Sequence, residues 1–62
     1  MKTLVELFDL DNTIDNILAG HIFKPERVIY LTDERQECIS RIWEIERAMT
    51  RKYPNMKFVI QP

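Results

Sequence analysis

An open α/β layer of three parallel strands, ordered strand–helix–strand–helix–strand, is the fold this sequence predicts. Three observations carry it. Short apolar runs at residues 4–8, 28–31 and 58–60 are separated by segments with helical spacing. Pro25 and Pro54 stand where the two intervening helices must have ended. Strands that alternate with helices pair in parallel through right-handed crossovers. One such βαβαβ unit is half of a doubly wound sheet.

The first strand is read over Thr3–Phe8. Leu4, Val5, Leu7 and Phe8 form a nearly continuous apolar run, as in strands covered on both faces. Glu6 interrupts it and reads as a strand-edge or solvent-facing residue. Asp9, Leu10, Asp11, Asn12 and Thr13 follow as a polar loop in which Asp11 or Asn12 can cap a helix. Ile14, Ile17, Leu18 and His21 or Ile22 then recur at helical spacing over about two turns. Gly20 sits where a left-handed C-terminal residue belongs, and Lys24-Pro25-Glu26 closes the segment.

The second strand is Arg27–Leu31. Thr32-Asp33-Glu34 reads as the start of the second helix, with Asp33 and Gln36 at capping-box spacing and Glu34 and Glu37 suited to the positive end of its dipole. Cys38, Ile42, Ile45 and Met49 draw one apolar stripe, widened by Ile39 and Trp43. Glu37 and Arg41 have the spacing of a surface pair. Arg47, Arg51 and Lys52 complement the far end of the dipole. Lys57–Ile60 is the third strand, through Phe58-Val59-Ile60.

Composition sets limits. A chain of 62 residues removes only about 60% of its extended surface from water on folding, so small scaffolds usually need a staple. None is evident here. The single Cys38 excludes an internal disulfide, and Cys38 with His21 cannot make a four-ligand metal site without carboxylates. No metal or cofactor is assigned. Ten acids against nine bases give a net charge of −1, without the basic excess typical of nucleic-acid or membrane binding. No apolar run approaches the roughly 18 residues of a membrane span. The early Glu6 argues against a secretory signal, so the cytoplasm is the expected compartment. A hydrophobic content of 45% with one glycine argues against disorder.

The predicted topology has a geometric consequence. Both crossover helices lie on one face, so half of the apolar strand residues line an uncovered face larger than soluble monomers normally expose. Residues 1–62 are therefore expected to be a single, incomplete Rossmann-like N-terminal half-domain of a larger protein, or else to pair with a second copy. Ligands of open parallel sheets bind beyond the carboxyl ends of the strands. The loops Phe8–Thr13 and Thr32–Glu34 occupy that edge, with Gln61 after the third strand.

Leu7-Phe8-Asp9-Leu10-Asp11-Asn12-Thr13 resembles the first motif of the haloacid-dehalogenase-type phosphohydrolases, an apolar strand followed by Asp-x-Asp-x-Thr. That resemblance implies Asp9 as nucleophile toward a phosphoryl group and Asp11 as general acid/base, around a shared Mg²⁺. The chain departs from that pattern after Thr13. Residues 14–18 run straight into an amphipathic helix where that family has a flap. Its later lysine and acidic pair have no convincing position in this chain. Thr32, which could mimic its second motif, reads more simply as a helix-entry residue.

A wider string resembles another family. Thr3 to Asp9, then Asn16 to Gly20, then Lys24-Pro25-Glu26-Arg27-Val28-Ile29-Tyr30-Leu31, is similar to the N-terminus of CRISPR-associated Rossmann-fold domains fused to a restriction-type nuclease. The resemblance covers roughly the first half of the chain in sequence and all of it in element order. It implies a dimeric sensor holding a cyclic oligoadenylate, or a related nucleotide, at its two-fold axis. Asp9, Asp11, Asn12 and Thr13 after strand one, and Thr32 after strand two, would be the ligand-binding residues. Three acids in and beside the loop, Asp9, Asp11 and Asp15, would repel phosphate, so adenine or ribose contacts suit it better. No catalytic residue is expected in this chain. The remaining reading is a purely structural, dimerising module.

Overall fold

The computed structural model describes residues 2–33 and 35–62. Strands β1 (Thr3–Leu7), β2 (Arg27–Leu31) and β3 (Lys57–Gln61) form one sheet in the order β1-β2-β3, parallel throughout. Helix α1 (Thr13–Phe23), entered through a 3₁₀ turn at Leu10–Asn12, joins β1 to β2. Helix α2 (Gln36–Lys52) joins β2 to β3. This is the expected βαβαβ layer, half of a Rossmann-like α/β fold. No helix among the described residues is long and apolar enough to cross a membrane.

The register explains the core. Leu4, Val28 and Phe58 form one inward row and Glu6, Tyr30 and Ile60 the next. Val28 and Tyr30 are buried with Ile42, Ile45 and Met49 of α2 and with Met56, and Ile17 of α1 packs against the same cluster. Tyr30 lies edge-on to Phe8 and stacks on Phe58. Both helices thus lie over one face. The opposite face carries Val5, Ile29 and Val59 in a row, then Leu7, Leu31 and Gln61, and no element covers it among the described residues.

The stripe Cys38, Ile42, Ile45 and Met49 is buried as its spacing predicts. Helix α1 is turned differently from expectation. Its buried residues are Thr13, Asn16 and Gly20, while Ile14, Leu18 and Ile22 face outward. The cause lies beneath it: Glu6 points inward rather than to the strand edge, and a half-buried carboxylate needs a polar partner there. Gly20 lies within α1 rather than at its end, which is three turns along, at Phe23. The left-handed residue is Lys24 (φ 47°), whose N–H bonds Gly20 O at 2.9 Å. Gly20 instead admits the tip of Met49, the atom nearest the position its Cβ would take.

Helix α2 starts later than expected. Its N-cap is Arg35, and the carboxylate of Asp33 accepts the Arg35 backbone N–H at 3.1 Å and its Nε at 3.0 Å. Asp33 closes a turn ahead of the helix, so the capping box with Gln36 does not form. The expectation for Glu34 lies outside the described residues. Arg41 pairs with Glu44 at 3.2 Å instead of with Glu37, an exposed contact worth at most about 1 kcal/mol.

Candidate functional site

Strand β1 ends at Leu7, and the Phe8 N–H still bonds Leu31 O at 2.9 Å, which keeps the start of the loop against β2. The chain then closes into its 3₁₀ turn because Asp9 caps it. The Asp9 carboxylate accepts the Asp11 N–H at 3.0 Å, and the Asn12 N–H bonds Asp9 O at 3.0 Å. Short acidic side chains favour such local closure. The cap of this segment is thus Asp9 rather than Asp11 or Asn12. Asn12 makes no cap bond, and its side-chain amide donates to Asp15 at 2.7 Å.

One buried side chain ties this loop to the sheet. Asn16 accepts the Asp9 N–H at 3.2 Å and donates to Leu7 O at 3.1 Å and to Glu6 Oε1 at 3.3 Å. Burial raises the pKa of Glu6 above the ordinary carboxylate value, and the Asn16 amide partly offsets this. Glu6 Oε2 is buried without a partner. Burial, together with the negative charge of Glu6, also raises the Tyr30 hydroxyl pKa. Neither Asn16 nor Glu6 is among the residues expected at the site. The one signal available was an asparagine among the apolar residues of a predicted helix.

Of the five expected residues, Asp9, Asp11 and Asn12 are exposed on this edge. Thr32 follows Leu31, the registered neighbour of Leu7, so it shares the edge with the loop. Its N–H is taken by Gln61 O at 3.1 Å, which draws the end of β3 to the same place. Thr13 is buried at the start of α1. The fold therefore brings four of the five together on the surface and withdraws the fifth. Among the described residues no group of three His, Cys, Asp or Glu side chains is placed to hold a metal ion.

The set offers carboxylate and amide groups with no cation among the five. Such groups can accept from ribose hydroxyls and from base amino groups, as an acidic residue does at dinucleotide sites. A cavity of about 300 Å³ opens at the opposite edge of the sheet, between Lys24, Pro25, Lys52, Tyr53 and Met56. It touches none of the five residues. Tyr53 there holds His21, whose Nδ1 lies 3.0 Å from the phenol oxygen. Comparison with known protein families, curated proteins and solved structures returns no significant match.

Proposed function

We propose that the chain is the non-catalytic, ligand-sensing half of a Rossmann-like domain of the CRISPR-associated type, taking a cyclic oligoadenylate or related nucleotide through its ribose and base. The observation that supports this is the shared edge. Asp9, Asp11 and Asn12 follow β1, Thr32 follows β2, and the two strands are direct neighbours in register. Ligands of open parallel sheets collect at this edge. The absence of a lysine or arginine among the five directs the reading to the nucleoside rather than the phosphates. A second copy of the chain, or further protein, covering the open face completes the unit. The Asp11 N–H takes one oxygen of the Asp9 carboxylate and does not bar phosphoryl transfer from Asp9, which stands as the alternative reading.

Titration calorimetry and thermal shift with cyclic oligoadenylates, and with adenosine as the nucleoside control, test the proposal on the 62-residue chain. Binding that weakens at least tenfold in Asp11→Ala or Thr32→Val supports it. No heat and no thermal shift with any of these ligands, on this chain and on the unit completed by whatever covers its open face, removes it.

A further inference from the structure

The chain leaves two apolar surfaces open, on opposite sides of the molecule. On the sheet, Leu7 is 78% and Val5 56% exposed, beside Ile29, Leu31 and Val59. On α1, Ile14 is 67% and Ile22 73% exposed, with Leu18 between them. Parallel sheets are stable when helices cover both faces. This sheet has helices on one.

We infer that α1 of one copy docks on the open sheet face of the next, a head-to-tail contact between identical chains. The dimensions fit. An 11-residue helix rises about 16 Å, and a five-residue strand spans about 16 Å. Successive residues of the α1 stripe are about 6 Å apart along the axis, close to the roughly 6.6 Å between same-face residues of a strand. Leu18 and Ile22 can therefore each meet one of the two apolar rows, with Ile14 over the first row beside the aliphatic stems of Arg27 and Lys57.

Charge sets the direction. The open face has Arg27 and Lys57 in its first row, both exposed. The stripe on α1 begins beside exposed Asp11 and Asp15 and ends at exposed Lys24. With the helix parallel to the strands, its acids lie over Arg27 and Lys57, and Lys24 comes toward Asp9 at the far edge. The reverse orientation sets like charge on like, which costs free energy. Sheet-on-sheet pairing would leave the α1 stripe in water. Because the donor and acceptor surfaces face away from each other, the contact cannot be reciprocated within a pair and propagates.

The inference does not rest on the nucleotide reading, and its test contains no ligand. Sedimentation of the 62-residue chain should show mass rising with concentration without a fixed stoichiometry. Leu18→Glu keeps the sheet face and loses the helix stripe; Val5→Glu does the reverse. Each alone should be monomeric, and an equimolar mixture should double in mass as a 1:1 complex. A wild type that stays monomeric, self-association of Leu18→Glu (sheet on sheet), self-association of Val5→Glu (helix on helix), or a mixture that stays monomeric would each overturn the inference. Should circular dichroism show either glutamate variant unfolded, Ile22→Ser and Leu7→Ser at the more exposed positions take their places, with the same outcomes.

Discussion

Gly20 and Met49 set the approach of the two helices: a Cβ at Gly20 would stand 2.9 Å from Met49 Cε. That atom ends a flexible side chain, so a single methyl group displaces it at little cost. Alanine also gains about 1 kcal/mol over glycine within a helix. Gly20→Ala should therefore leave stability unchanged or slightly raised. Gly20→Val adds bulk that one rotamer change cannot clear and should cost about 1–3 kcal/mol. Urea denaturation of both variants checks this, and equal stability would mean the helices are not in close contact there.

Asn16 is the pin between α1 and the loop after β1. Asn16→Ala leaves the Asp9 N–H and Leu7 O without their side-chain partner, at a cost of about 1–3 kcal/mol. Amide exchange at Asp9 and Asp11 should accelerate more than exchange in β2. Unchanged exchange at Asp9 would show that the loop holds itself.

Glu6 makes stability depend on pH. Its folded pKa is raised by burial, so the folded state binds the proton more tightly than the unfolded chain does. Stability should be greatest below the ordinary glutamate value, fall as pH rises from there through the raised pKa, and level off above it. Glu6→Gln removes this fall. Thermal melts of both proteins from pH 4 to 8 read it directly, and parallel curves would refute it.

Asp33 acts in the opposite sense. The Arg35 backbone N–H, and then its side chain, hold the Asp33 carboxyl below the usual value. Its contribution is present above the ordinary aspartate value and is lost as pH falls through the lowered one. Asp33→Asn should flatten the acid limb of the melting curve below pH 4, by a small amount because the pair is exposed. An acid limb identical to wild type would place the loss elsewhere.

The strands were legible because buried strands are written as continuous apolar runs: β2 falls on the expected residues, and β1 and β3 differ by one residue at an end. The open face followed from topology alone. Helix α2 was legible from its stripe, but its start was not, since Asp33 turns back on Arg35 before the helix begins. The orientation of α1 was hidden for a different reason. Its apolar spacing pointed inward, yet what lies beneath it is a carboxylate and a methionine tip, which select an asparagine and a glycine. At the site, sequence placed the loop and Thr32 on one edge. It could not show that one oxygen of Asp9 would cap the turn through the Asp11 N–H, or that Thr13 would be buried.

The three strands are not equal partners. With β2 in the centre, both ladders of the layer run along Arg27–Leu31, whereas β1 and β3 each hold on by one side. Removing either outer strand leaves one ladder, whereas removing the middle one leaves none. The short Val28-Ile29-Tyr30-Leu31 segment is thus the keystone of cooperativity. A lesion there strikes both halves of the molecule together, while one at either rim is felt locally.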